Sequence, residues 1–132
     1  MLEKLFKKKE SVKRVLIVED DSMLSSVLAE SLKAENFKIE IVANGSEVLD
    51  KAIKLLPHVI LLDLIIPGID GFEVLKQLKE ETKTANIPVV VLSNLNQPSD
   101  VKAVKALGAQ EYFLKAVTQL DDITKYIKDK IK

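Results

Sequence analysis

Three short stretches of this 132-residue chain leave little choice of fold. Val15-Leu16-Ile17-Val18, Val59-Ile60-Leu61-Leu62 and Val89-Val90-Val91-Leu92 are apolar at every position. A strand with one wet face alternates apolar and polar residues, so a run without alternation needs both faces covered, as in a parallel sheet layered with helices. Their β-branched side chains favour strand over helix. "FKIEIVA" (residues 37–43) differs: Phe37, Ile39 and Ile41 alternate with Lys38 and Glu40, which predicts an edge strand. "EYFLK" (111–115) supplies a fifth, short strand.

Helical periods fill the intervals. Met23, Leu24, Val27, Leu28, Ser31 and Leu32 form one stripe, and Val48, Leu49, Ala52 and Ile53 the next. Phe72, Leu75 and Leu78 follow, then Val101, Val104, Ala106 and Leu107, and finally Leu120, Ile123, Ile127 and Ile131. The punctuation agrees: Asn44-Gly45-Ser46 reads as a turn and cap, Asp21-Ser22 and Asp70 with Glu73 as helix starts, and Gly108 as a helix stop. Strands alternating with helices predict an α/β flavodoxin-like (βα)5 open parallel sheet, strand order 2-1-3-4-5, with helices on both faces. The chain is long enough for one such domain and short for two.

That architecture binds ligands outside the carboxyl ends of its strands, where the strand order reverses. The residues expected there are Glu19-Asp20-Asp21 after strand 1, Asp63 after strand 3, Ser93 at strand 4 and Lys115 at strand 5. Asp63 interrupts the apolar run 59–66, where an acid needs a partner. Carboxylates crowded together repel, and a hard divalent cation is the natural remedy; Mg2+ typically uses one or two carboxylates plus waters and phosphate oxygens. A hydroxyl and an ammonium also suit phosphate oxygens, so the set points to phosphoryl transfer. Composition offers no competing partner: twenty basic and twenty acidic residues cancel, no apolar run approaches the roughly 18 residues of a membrane span, and cysteine is absent, compatible with a reducing cytosol.

"VLIVEDD", "LLDLIIPGIDG", "VVVLSN" and "GAQEYFLK", in this order and at these intervals, resemble the receiver domain of two-component response regulators over about residues 13–131. The resemblance implies a receiver at 13–132 behind a basic extension at 1–12. It makes Asp63 the phosphoacceptor, a carboxylate nucleophile. Asp20 and Asp63 would ligate Mg2+ directly, Glu19 through a water, and Ile65 through its backbone carbonyl. Ser93 and Lys115 would bind phosphoryl oxygens, and Tyr112 falls at an aromatic switch position coupled to Ser93. The implied donors are a sensor histidine kinase, a phosphotransfer protein or a small phosphodonor. The output would be protein contact through the fourth helix, fifth strand and fifth helix, in a stand-alone cytoplasmic switch, monomeric or dimerising on phosphorylation, with no direct nucleic acid or membrane contact. The resemblance implies a signalling switch rather than an enzyme, one that promotes its own phosphorylation and dephosphorylation.

Helix capping explains Asp21 and Asp70 without a role in the site. His58, the only histidine, is expected on the surface at the far end of strand 3, so the phosphodonor is external. Two positions depart from the family pattern. Ala116 replaces the usual proline after the lysine, which predicts a trans Lys115–Ala116 bond, since a cis bond there costs about 2.5–4 kcal/mol. Asn94 stands where a small residue is usual, and its bulk is expected to slow small donors or attacking water. The rival readings are a receiver-like interaction module that is not phosphorylated, an Asp-nucleophile phosphatase, and a nucleotide or flavin binder. The phosphatase usually wants a second acid two residues on, where Ile65 stands; the binder lacks a glycine-rich first turn.

Overall fold

The computed structural model describes residues 12–131, so the basic extension expected at 1–12 lies almost wholly outside the described residues. Five strands, β1 (Arg14–Val18), β2 (Lys38–Val42), β3 (Val59–Leu62), β4 (Val89–Ser93) and β5 (Glu111–Leu114), pair in parallel in the order β2-β1-β3-β4-β5. Five α-helices connect or follow them: α1 (Ser22–Lys33), α2 (Val48–Leu55), α3 (Gly71–Glu80), α4 (Pro98–Ala106) and α5 (Leu120–Lys130). A single 3-10 turn, Gly45–Glu47, precedes α2, with the Asn44 side chain accepting from the Ser46 N–H. This is the flavodoxin-like order expected from the apolar runs.

Period two in the strands sorts the core into two layers. Leu16, Val18, Ile60, Leu62, Val89 and Val91 face Val48, Ala52, Val74, Leu75, Leu78 and Val104 of α2, α3 and α4. Val15, Ile17, Val59, Leu61, Val90 and Leu92 face Leu28, Ala29, Leu32, Ile123 and Ile127 of α1 and α5. Every residue of β1 after Arg14, and all of β3 and β4, is buried, which is why these runs never alternate. Truncating one of them, Leu62 for instance, to alanine would cost about 2–5 kcal/mol.

Two stripes are rotated from expectation. Met23 is 77% exposed and Val27 42%, because α1 turns Ser25, Leu28, Ala29 and Leu32 inward instead. Ile41 is 43% exposed: on the edge strand the helical layer covers Phe37 and packs Ile39 but stops short of Ile41. Ala106, placed in the α4 stripe, also faces solvent. His58 departs from the free surface residue expected. It is half-buried, its Nδ1 accepts from the Arg14 N–H at 3.0 Å, and its own N–H donates to the Arg14 carbonyl at 2.8 Å. Burial, with the nearby charges of Lys13 and Arg14, pushes its pKa below the ordinary 6.5. Among the described residues, no helix is long and apolar enough to cross a membrane.

Candidate functional site: an acidic cleft at the carboxyl ends of the strands

The sheet ladder itself places the key side chains. Glu19, one residue past β1, donates its N–H to the Val42 carbonyl, and Asp63, one past β3, donates to Val18, each at 3.0 Å. Lys115, one past β5, donates to the Ser93 carbonyl at 2.9 Å. Strand geometry thus sets their backbones, and alternation brings their side chains to one rim. Glu19 is 3% exposed and Asp63 4%, and one carboxylate oxygen from each of Glu19, Asp20 and Asp63 lies within 4.8 Å of the others.

Among the described residues one cation, Lys115, pairs with two of these acids. The Lys115 ammonium lies 2.7 Å from Glu19 Oε1 and 2.7 Å from Asp63 Oδ2. Asp63 Oδ1 accepts from the Ile65 N–H at 3.1 Å, and Glu19 Oε2 from the Asp21 N–H at 3.1 Å. Burial raises the Glu19 pKa and the Asp63 charge adds to the rise, against the opposing pull of Lys115 and the Asp21 N–H. For Lys115 burial disfavours the charge, but bonds to Asp63 and Glu19 outweigh it and the ammonium pKa is raised. The partner of Asp63 in this structure is therefore Lys115, where the sequence pointed first to a metal.

Asp63, Asp20, Glu19 and Lys115 meet in a cleft of about 230 Å³, lined also by Asp21, Ile65 and Asn94. The lining Asp21 side chain accepts from the N–H groups of Met23 and Leu24 and caps α1; Asp70 caps α3 through the Glu73 N–H. The loop after Asp63 folds back sharply, with the Gly71 N–H on the Leu64 carbonyl at 2.9 Å. A Cβ at Gly71 would come within 2.4 Å of Leu64 Cα and 2.7 Å of the Asp63 carbonyl oxygen, so only glycine lets α3 start this close. Sequence reasoning missed Gly71; its signal was a glycine directly behind a helix-capping aspartate.

Ser93 and Tyr112 stand behind the cleft. Ser93 is fully buried, and its hydroxyl accepts from the Leu95 N–H at 3.4 Å, while the half-buried Tyr112 hydroxyl donates to the Leu95 carbonyl. The two side chains therefore hold opposite faces of one residue in the β4–α4 loop. Burial raises the Tyr112 pKa, helped by Asp100 and Asp63 and opposed by Ser93. The Lys115–Ala116 bond is trans, and the Val117 N–H closes a turn onto Leu114.

The model of the response regulator receiver domain matches residues 15–128. The chain belongs to that family. Among curated relatives of this receiver, the DNA-binding dual master transcriptional regulator RpaA of Synechocystis is 33% identical over 77% of this chain and 42% of its own length. The two-component response regulator ORR6 of rice is 32% identical over 85% of this chain and 68% of its own. The receiver thus spans less than half of RpaA. In three dimensions it resembles a CheY-like receiver domain protein of Methanospirillum hungatei (25% identity, 92% of this chain and 94% of that one, TM-score 0.84). It also resembles the Mn(2+)-bound response regulator Rcp1 (31% identity, 89% and 90%, TM-score 0.72). Receiver domains are signalling switches that bind a divalent metal in an acidic pocket, and Glu19, Asp20 and Asp63 form that pocket here.

Proposed function

We propose that this receiver accepts a phosphoryl group on Asp63 in a Mg2+-dependent reaction and reports it through the surface of α4, β5 and α5. The observation that carries the reading is the cluster of three carboxylates, two of them paired with the Lys115 ammonium, at the switch point of the sheet. The donor set fits a hard cation: all protein donors are oxygen, and three acids face a single base. Asp20 and Asp63 would hold the ion through their carboxylates, Glu19 through a water, and Ile65 through its carbonyl. When bound, the ion neutralises charge on the carboxylates and on incoming phosphoryl oxygens. The Asp63 carboxylate attacks phosphorus, and the P–O or P–N bond to the donor breaks with its electron pair leaving on the donor. Lys115 and Ser93 then take phosphoryl oxygens.

Ser93 donates its O–H to a phosphoryl oxygen, and the same hydroxyl accepts from the Leu95 N–H, whose residue also holds Tyr112. A ligand shifts an equilibrium only through contacts that differ between the states, and this shared residue supplies such a difference. The external donor is a histidine kinase, a phosphotransfer protein or a small phosphodonor, since His58 lies at the opposite end of β3 from Asp63. Output is protein contact, on a separate partner or an attached effector, and direct nucleic-acid or membrane contact is not part of the reading. Acetyl phosphate or beryllofluoride with Mg2+ should perturb amide resonances along the cleft and at Tyr112, and Asp63→Asn should abolish the response. A response that survives Asp63→Asn, or none in the parent, would favour the interaction-module alternative.

A further inference from the structure

We propose that Thr118 is a positioning residue for Lys115: its hydroxyl, bonded to the Leu114 carbonyl, fixes the turn that aims the ammonium between Glu19 and Asp63 and toward a phosphoryl oxygen. The inference rests on Asp63 as phosphoacceptor. Lys115 is the first residue beyond β5, an edge strand of the sheet. A trans peptide directs its N–H and its carbonyl to opposite sides. In the trans Leu114–Lys115 peptide the N–H turns inward and donates to the Ser93 carbonyl at 2.9 Å. Its carbonyl therefore turns toward the open edge, where no further strand of the sheet can donate to it. The turn itself supplies two donors: the Thr118 hydroxyl reaches the Leu114 carbonyl at 2.6 Å and the Val117 N–H at 3.2 Å, one for each lone pair. The peptide that leads into Lys115 is thus held from both sides.

Packing contributes little to this hold. Ala116 is exposed and Val117 is 76% exposed, so neither side chain at the tip anchors the turn. The Lys115 stem borders an apolar hollow of about 180 Å³, which Thr118 also lines with Leu24, Leu28, Leu92 and Ile123. That hollow leaves the flexible four-carbon stem room for other rotamers, whereas the two ion pairs at 2.7 Å need one. A proline after the lysine would restrict the backbone through its ring; Ala116 imposes no such restriction. The hydroxyl two residues further on supplies a hydrogen bond in place of that constraint. Helix capping does not account for Thr118: the N-cap of α5 is Gln119, and the Thr118 hydroxyl points back to Leu114.

The test compares Thr118→Val, which keeps the shape and removes the donor, with Thr118→Ser, which keeps the donor and removes the methyl. Thr118→Ala, also without a donor but too small to strain the turn, carries the test should the valine variant fail to fold. Two readouts are taken on each protein. In chelator, the proton–nitrogen correlation of the Lys115 ammonium reports whether it is held by its two carboxylates and exchanges slowly with water. With Mg2+, beryllofluoride affinity reports its grip on a phosphoryl mimic. The correlation should be present in the parent and in Thr118→Ser, and broadened or lost in Thr118→Val and Thr118→Ala. Beryllofluoride affinity should weaken about threefold to tenfold in the two variants without a donor, the range a single neutral hydrogen bond supports, and stay near the parent value in Thr118→Ser. Either readout unchanged in the variants without a donor overturns the proposal. So does Thr118→Ser behaving like them, because the methyl and not the hydroxyl then matters, or a parent whose ammonium already exchanges fast. A parent that ignores beryllofluoride overturns the phosphoacceptor reading instead, and the ammonium correlation alone then decides this inference.

Discussion

The two ends of strands β1 and β3 solve the same problem in opposite ways. Both ends place polar side chains beside a fully buried apolar sheet. At the amino end the polar groups close on the backbone: His58 and Arg14 exchange two hydrogen bonds, and the Arg14 guanidinium reaches the Leu56 carbonyl at the end of α2. Among the described residues, the one buried side-chain polar atom without a hydrogen-bond partner is also there, Arg14 Nε. At the carboxyl end Glu19, Asp20 and Asp63 cluster, and among the described residues the cation that answers them is Lys115, paired with Glu19 and Asp63. A rim built for stability consumes its polarity locally, whereas this one keeps an excess of negative charge that a cation must relieve.

Removing the Lys115 ammonium should break that contrast most sharply. Lys115→Met leaves the buried carboxylates uncompensated and should cost up to about 3 kcal/mol in chelator. Added Mg2+ should recover part of the loss, and should stabilise the variant more than it does the parent. Urea unfolding with and without metal measures both; a variant as stable as the parent in chelator would remove the claim of excess charge.

The acids at the carboxyl end are not equivalent, and Asp21 sharpens the boundary. Although it lines the cleft, its side chain is engaged by the Met23 and Leu24 N–H groups. Asp21→Ala should lose about 1 kcal/mol as a missing N-cap. Calorimetry should find metal affinity within about twofold of the parent, a small effect for a charge outside the coordinating set.

The smallest effect belongs to the amino end. His58 has a lowered pKa in the folded protein, so the unfolded chain takes up this proton first as pH falls. Its contribution is fully present above about 6.5 and is lost as pH drops through the lowered folded value. His58→Asn keeps an acceptor in place of Nδ1 without titrating. The parent should lose stability relative to this variant on acidification, read as the difference between their urea midpoints across pH. A constant difference would show that the bond from Arg14 contributes nothing that depends on protonation.

The sequence made the sheet legible because a strand covered on both faces cannot alternate, and β1, β3 and β4 state this in every residue. The rim followed from the sheet: once strand order is known, Glu19, Asp63, Ser93 and Lys115 end up at one edge. What stayed hidden was decided by contacts the chain does not spell out. Met23 and Val27 fit a helical stripe as well as Ser25 and Ala29 do, and only the angle at which α1 lies on the sheet selects between them. Gly71 stands where it does because the backbone of Asp63 and Leu64 leaves no room for a Cβ there, a close approach marked locally only by a glycine behind a capping aspartate. The direct grip of Lys115 on Asp63 was foreseeable in direction, though its sharing with Glu19 depends on β1 and β5 reaching over the same edge.

Because the amides of Glu19, Asp63 and Lys115 extend the pairing of neighbouring strands, the reactive end inherits the stiffness of the sheet. Such amides should exchange with deuterium only on the deepest opening events, while the exposed loop around Asn94 exchanges quickly. That loop can therefore vary in sequence without disturbing where the acids stand.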